Sequence, residues 1–195
     1  MIIGVDADGV LTDMQEFNYQ CGKKFFRKEI VNPTGYSVKE IFKVSKIAEL
    51  CCGLKYFPKY CKEYPPRPYT AEILGKLKAE GHVLHEITAR KFVTSNFPWG
   101  KLSRKWFLNW CEQYGIEFDS VTFCSEKYGP KEKCAACKRL KVDVMVDDRP
   151  EIVMHLAENG VKVLMIDAPY NQKVQHANVT RVYGWKDVYE KLCAL

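Results

Sequence analysis

The chain has 195 residues, of which 47% are hydrophobic and 28% are charged, a composition typical of a globular protein. Its length suits one domain, or a core domain that carries an insertion. The 30 basic and 24 acidic residues give a formal net charge of +6. That mild excess favours small anionic ligands, but it falls short of the dense basic surface of a protein that binds nucleic-acid polymers.

The sequence contains no recognisable export or membrane signal. No apolar run approaches the roughly 18 residues of a membrane span, and the first apolar run ends at Asp6, too early for a signal peptide. We therefore expect a cytoplasmic protein whose nine cysteines are not paired in disulfides. Cys134 and Cys137 have a metal-like spacing, but no second pair accompanies them, so buried structural thiols are the favoured interpretation.

Short apolar runs alternate with amphipathic stretches along most of the chain. The runs predict buried strands and the stretches predict helices. In chain order we expect a strand at 2–5, a helix at 69–80, a strand at 82–89, a helix at 101–114, a strand at 121–124, a helix at 131–140, a strand at 142–146, a helix at 150–160, a strand at 161–166, an edge strand at 179–184 and a helix at 185–195. This alternation predicts an α/β fold with a Rossmann-like parallel sheet flanked by helices.

One segment interrupts the alternation. Residues 13–66 hold helical patches and several aromatic residues, among them Phe57 and Tyr60, and they end in a proline-rich stretch. We therefore expect a small helical cap at 13–66, inserted after the first strand into a core made of residues 1–12 and 67–195.

Acidic residues cluster where predicted strands end. Asp6 and Asp8 follow the first strand, and Asp147 and Asp148 follow the strand at 142–146. Ligands of parallel α/β sheets bind at the carboxyl ends of the strands, so neighbouring strands would bring four aspartates together. Desolvated like charges repel each other, which predicts a bound cation. A site made only of oxygen ligands suits Mg²⁺.

These motifs together resemble the haloacid dehalogenase (HAD) superfamily of phosphotransferases, and the resemblance extends over essentially the whole chain. It is similar in detail to the 5′(3′)-deoxyribonucleotidase-like branch and its uncharacterised bacterial relatives. His85 and Glu86 depart from the family, which is usually apolar at those positions. The matching motifs are Asp6-x-Asp8-Gly9-Val10-x-Thr12, ITAR at 87–90 with Thr88 at the strand end, a lysine near a helix start, and VDVMVDDRPE at 142–151.

The resemblance implies a role for each aspartate. Asp6 would be the nucleophile that attacks phosphorus and forms an aspartyl-phosphate. Asp8 would protonate the leaving oxygen and then activate water, and its backbone carbonyl would hold the metal together with Asp6. Asp148 would bind the metal directly, while Asp147 would orient the lysine or a metal-bound water. From the sequence alone, Asp147 and Asp148 are hard to separate as metal ligands.

The remaining residues of the motifs would bind the phosphate. Gly9 would let the chain turn tightly beneath the phosphate. The hydroxyl of Thr88 and the backbone amides that follow it, those of Ala89 and Arg90, would donate to the phosphoryl oxygens. The catalytic lysine would be Lys133, which precedes Asp147 by 14 positions, or else Lys131.

The substrate would be a small phosphorylated metabolite, and a (deoxy)nucleoside monophosphate is the favoured one. Phe57 and Tyr60 would stack on the base, unless they form the core of the cap. Residues 95–101 would form a second wall of the substrate site, or simply a loop. The alternatives are a phosphatase of another metabolite, such as a sugar phosphate, and a non-catalytic binding protein. We expect neither a nucleic-acid polymer nor a membrane as a partner, and the oligomeric state stays open.

Overall fold

A computed structural model of the chain describes residues 1–90, 93–95 and 98–195. Its centre is a six-stranded sheet in which every pairing is parallel. This confirms the predicted fold class, and each predicted strand is present to within about two residues at either end. The strands are β1 (Ile2–Val5), β2 (Val83–Thr88), β3 (Ser120–Phe123), β4 (Val144–Asp147), β5 (Lys162–Ile166) and β6 (Val179–Val182).

The strands lie in the order β3-β2-β1-β4-β5-β6. The chain therefore builds outward from β1 through β2 to β3, and then returns to place β4 on the other side of β1. This reversal creates a crevice at the carboxyl ends of β1 and β4, which is where open α/β sheets bind ligands. Asp6 and Asp148 each follow one of these two strands directly.

Helices cover both faces of the sheet because successive strand residues point to opposite sides. The helices are α1 (Met14–Phe26), α2 (Val38–Phe42), α3 (Lys46–Glu63), α4 (Thr70–Ala79), α5 (Pro98–Gln113), α6 (Gly129–Leu140), α7 (Pro150–Glu158) and α8 (Trp185–Cys193). Ile3 and Val5 belong to an apolar cluster shared with α4, α5 and α8, and Ile87 and Met145 belong to a second cluster shared with α6 and α7.

Helices α1 to α3 fall between β1 and α4, within the segment predicted to form the cap. The ends of this segment meet, since Thr12 forms an antiparallel bridge with Pro66 and the amide of Arg67 donates to the carbonyl of Leu11 at 2.7 Å. The division of the chain into a core and a cap stays a prediction.

The nine cysteines are free thiols. Cys134 and Cys137 are buried in α6 as part of the second apolar cluster. Among the residues that the structure describes, no helix is long and apolar enough to cross a lipid bilayer. The cytoplasmic location stays a prediction.

Candidate active site

Lys133 of α6 lies beneath the crevice, fully buried. Its Nζ donates to Oδ1 of Asp6 at 2.5 Å and to Oδ2 of Asp147 at 2.7 Å. Burial alone would lower the pKa of Lys133, but these two carboxylates raise it above its ordinary value, so the ammonium group stays charged. Lys131, by contrast, is exposed. Of the two candidate lysines, the structure therefore brings Lys133 to the aspartates.

Both carboxylate oxygens of Asp147 accept hydrogen bonds from protein donors. Oδ2 accepts from Lys133, while Oδ1 accepts from the backbone amides of Asp148 at 2.9 Å and Arg149 at 3.0 Å. Both oxygens are used, so Asp147 can orient the lysine and fix the chain at the start of α7. This arrangement favours the neighbouring aspartate as the direct metal ligand.

Asp148 points into the crevice with one carboxylate oxygen unused. Its Oδ2 accepts from the hydroxyl of Tyr170, and its buried Oδ1 has no hydrogen-bond partner among the described residues. Burial raises the pKa of Asp148 well above its ordinary value, and the charges of Asp147 and Asp6 add to the rise. Gly9 passes close by at a φ of 89°, and a Cβ there would lie 2.0 Å from Oδ2 of Asp148. Glycine is therefore required at position 9.

The donor set fits a divalent cation. Carboxylate oxygens of Asp6, Asp147 and Asp148 all lie within 4.8 Å of one another, and Lys133 is the cation paired with this group. Burial raises the pKa of Asp6 to about 7, with Asp147 and Asp8 adding to the rise and Lys133 opposing it. Negative charge in excess of one ammonium, an all-oxygen donor set and the unpartnered Oδ1 of Asp148 together suit Mg²⁺.

Asp8 belongs to a second ion pair. The guanidinium of Arg90 donates from Nη2 to Oδ1 at 2.5 Å, and from Nε to Oδ1 at 3.0 Å and Oδ2 at 3.1 Å. The hydroxyl of Tyr60 also donates to Oδ1 at 2.8 Å, and lies 2.5 Å from Oγ1 of Thr12. Tyr60 and Arg90 are 2% and 6% exposed. The side chains of both therefore hold Asp8 in this structure.

A cavity of about 30 Å³ joins the two ion pairs, with room for roughly one or two water-sized groups. The hydroxyl of Thr88 is buried at its wall with no partner among the described residues. A buried hydroxyl is normally hydrogen-bonded, so this one can serve an oxygen of a bound anion. The cavity is lined by Asp6, Asp8, Tyr36, Thr88, Ala89, Lys133, Asp148, Arg149 and Ile152.

Two tyrosines at the site were missed by the sequence analysis. Tyr36, between α1 and α2, meets Tyr170 edge-on with ring centroids 5.0 Å apart, and the guanidinium of Arg149 lies 5.2 Å from its ring centre. Tyr170 follows β5, so the strand-end argument used for the aspartates could have found it. The sequence around Tyr36 carries no such signal.

Other expected site residues lie elsewhere. Phe57 stacks on Tyr60 at 6.4 Å and does not line the cavity. Within the segment 95–101, residues 96 and 97 lie outside the described residues, and Trp99 is exposed. The stacking role of Phe57 and Tyr60 and the second substrate wall stay predictions.

The polar pair in β2 separates into two different environments. His85 is satisfied by Oγ of Ser120, at 2.8 Å from its Nδ1. Glu86 is fully buried, and neither of its carboxyl oxygens has a partner among the described residues. Burial, followed by the charge of Asp6, raises the pKa of Glu86 well above its ordinary value.

We predict that Lys133→Met lowers the free energy of unfolding by about 3–5 kcal/mol in metal-free buffer, because it leaves Asp6 and Asp147 buried without their cation. Urea unfolding measures the change. Lys131→Met is the matched control on the same helix and should stay within about 0.5 kcal/mol of wild type. Equal effects of the two substitutions would contradict the buried ion pairs.

The chain was compared with protein families and with curated proteins. Residues 1–194 match the family model described as 5′ nucleotidase, deoxy (pyrimidine), cytosolic type C protein. A nucleotidase from Clostridium acetobutylicum is 26% identical over 189 residues, which cover 96% of this chain and 91% of that protein. A Chlorobaculum tepidum protein, whose name gives a provisional 5′(3′)-deoxyribonucleotidase assignment, is 24% identical over 210 residues, covering 100% of this chain and 91% of that protein.

Solved structures share the fold. A predicted phosphatase from Clostridium acetobutylicum superposes with a TM-score of 0.66 at 18% identity, covering 100% of this chain and 98% of that one. The D,D-heptose 1.7-bisphosphate phosphatase of B. bronchiseptica, solved with magnesium and phosphate, gives 0.60 at 12% identity with the same coverage. The family match over nearly the whole chain and this shared fold lead to one conclusion: the chain belongs to the 5′ nucleotidase, deoxy (pyrimidine), cytosolic type C family of HAD-superfamily phosphomonoester hydrolases.

Proposed function

We propose that the protein hydrolyses nucleoside monophosphates, deoxy forms included, in a Mg²⁺-dependent reaction that passes through an aspartyl-phosphate on Asp6. The observation that carries the proposal is the position of Asp6, which lies beside Lys133 in a cavity that also holds the unpartnered hydroxyl of Thr88. A nucleophile, a cation and a free hydrogen-bond donor around one small space are what a phosphoryl group requires. The family membership supports the substrate class.

Asp6 attacks phosphorus in this mechanism. Its Oδ1 is held by Lys133, which leaves Oδ2 to form the bond to phosphorus. A carboxylate is a weak nucleophile, so in-line positioning supplies much of the rate. The ammonium of Lys133 and the hydroxyl of Thr88 stabilise the negative charge on the phosphoryl oxygens, and the amides of Ala89 and Arg90 complete the phosphate site.

Asp8 acts as the general acid and then as the general base. It first donates a proton to the leaving oxygen of the substrate, and then accepts one from the water that hydrolyses the aspartyl-phosphate. Tyr60 fixes the orientation of the Asp8 carboxyl group between these two steps. Tyr60 thus contributes to the chemistry through its hydrogen bond to Asp8.

A magnesium ion would be held by Asp6 and Asp148, with the backbone carbonyl of Asp8 as a further oxygen ligand. Asp147 acts indirectly, because both of its oxygens are bonded to protein donors. Magnesium, when bound, neutralises part of the charge on the carboxylates and on the phosphoryl group. This allows Asp6 to be ionised and close to a dianionic substrate.

The nucleoside extends from the cavity past Tyr36 and Arg149. A cavity of about 30 Å³ accommodates an ion-sized group and excludes a base and a sugar, so these stay at the mouth of the site. Tyr36 is the aromatic residue that lines the cavity, and its ring can stack on a base. Among the residues that line the cavity, no comparable feature favours a sugar phosphate. Membership of a family of hydrolases argues against a purely binding role.

We predict that hydrolysis requires Mg²⁺ and is lost in excess chelator. Asp148→Asn should weaken Mg²⁺ binding at least about tenfold, because it removes a charged ligand. Isothermal titration calorimetry measures this without turnover. The control is Asp143→Asn. Asp143 directly precedes β4, at the opposite end of that strand from Asp148, and its Oδ2 accepts from the amide of Ile2, so the affinity for Mg²⁺ should be unchanged. Full turnover in chelator would contradict the proposed chemistry.

We also predict that Tyr36→Ala selectively impairs nucleotides. Base stacking is worth about 1–3 kcal/mol, so kcat/KM for a deoxynucleoside monophosphate should fall by roughly 5- to 150-fold. Deoxyribose 5-phosphate, which lacks the base, should change by less than about twofold in the same variant. Tyr36→Phe keeps the ring and should retain activity on both substrates. An equal loss on both substrates would mean that Tyr36 does not read the base.

A further inference from the structure

Glu86 has no role in the reaction described above, yet its carboxyl group lies in an energetically unfavourable environment. It lies in β2 between Val5 of β1 and Val121 of β3, and it is fully buried without a hydrogen bond from any described residue. An unpartnered buried carboxyl group costs the fold several kcal/mol, so an acceptor at this position calls for a donor in another state of the protein.

Arg90 is the neighbour that can supply the donor. A guanidinium carries five N–H donors. Those on Nε and Nη2 bond Asp8, whereas the contact recorded for Nη1 is the weak acceptor Sγ of Cys61, at 3.8 Å. One edge of the arginine therefore lacks an oxygen acceptor among the described residues.

Glu86 and Arg90 also approach the same helix. The guanidinium lies 5.2 Å from the ring centre of Phe107 on α5. Leu84 and Glu86 point to the same face of β2, because alternate residues of a strand share a face. Leu84 belongs to the apolar cluster that also contains Phe107. The buried carboxyl group of Glu86 and the guanidinium of Arg90 thus both lie on the side of the sheet that α5 covers.

The present pairing of Arg90 obstructs Asp8. Oδ1 of Asp8 accepts from Tyr60 and from two nitrogens of Arg90, and Oδ2 accepts from Nε of Arg90. When Asp8 carries on Oδ2 the proton for the leaving oxygen, that hydroxyl oxygen is a weaker acceptor for Nε of Arg90. Arg90 then loses part of its pairing, and a buried guanidinium without a partner is strongly unfavourable.

We propose that Glu86 is a positioning residue: it accepts hydrogen bonds from Arg90 when substrate binding draws the guanidinium away from Asp8, so that the arginine is paired in both states. The carbonyl oxygen of a carboxyl group accepts in either protonation state, so the exchange needs no titration of Glu86. The inference rests on the proposed role of Asp8 in the phosphatase reaction.

The test compares Glu86→Met, which removes both acceptor oxygens at similar volume, with Glu86→Gln, which keeps one. General acid catalysis contributes about 10²–10⁴-fold, so Glu86→Met should lower kcat/KM for a deoxynucleoside monophosphate by at least about tenfold. The ratio kcat/KM covers only the steps up to formation of the aspartyl-phosphate, so it excludes the later hydrolysis that both substrates share. For p-nitrophenyl phosphate, whose leaving group hardly needs a proton, kcat/KM should change by less than about twofold. Glu86→Gln should recover most of the lost rate.

Two controls separate this positioning role from damage to the fold. Glu86→Met should unfold at the wild-type temperature or above it, because it removes an unpartnered buried polar group. His85→Gln changes the next residue, on the opposite face of β2, and should leave both activities unchanged. A wild-type kcat/KM of Glu86→Met on both substrates, or an equal loss of kcat/KM on both, would overturn the proposal.

A second experiment needs no variant. In a crystal of the wild-type protein with Mg²⁺ and beryllofluoride, a phosphoryl mimic, Arg90 should lie within about 3.2 Å of a carboxyl oxygen of Glu86. An Arg90 still bonded to both oxygens of Asp8 would overturn the inference. Absence of any phosphomonoester hydrolysis by the wild-type protein would instead refute the proposed function, and this outcome is distinct because it precedes any comparison of variants.

Discussion

The buried ammonium group of Lys133 is the contact on which the rest of the site depends. It joins the ends of β1 and β4 through Asp6 and Asp147, two carboxylates that could not otherwise stay buried side by side. Asp147 extends the connection by accepting the amides of Asp148 and Arg149, which fixes the start of α7 and the direction of the Asp148 carboxylate. A single cation thus aligns the proposed nucleophile, the proposed metal ligand and two strands across the switch point of the sheet.

A second buried cation, the guanidinium of Arg90, forms the other ion pair of the site. Arg90 holds Asp8 as Lys133 holds Asp6. Tyr60 of α3 also donates to Asp8, and this hydrogen bond connects the helical segment to the site. The two pairs differ in geometry. Lys133 is fully buried between two acceptors, whereas Arg90 has one edge without an oxygen acceptor among the described residues. The lysine pair is suited to a fixed scaffold and the arginine pair to an exchange of partners.

The local sequence pattern predicted the fold and the residues at the strand ends. It did not predict which side chains of the helical segment contact those residues. Hydrophobic periodicity located the strands, and the rule that parallel strands bind ligands at their carboxyl ends grouped Asp6 with Asp148 and Thr88. The direction of a side chain on a distant helix is set by tertiary packing. For that reason nothing in the sequence indicated the hydrogen bond from Tyr60 to Asp8, and Tyr36 was missed. Glu86 stood out in the sequence only as an anomaly.

The central claim is that Asp6 carries the phosphoryl group, and trapping that group tests it directly. Acid quenching during turnover of a deoxynucleoside monophosphate with Mg²⁺, followed by borohydride reduction, converts an aspartyl-phosphate into homoserine. Mass spectrometry of the N-terminal peptide should then find homoserine at position 6, and none at Asp8 or in samples without substrate. Sustained hydrolysis with Asp6 unmodified, or homoserine at another aspartate, would contradict the account.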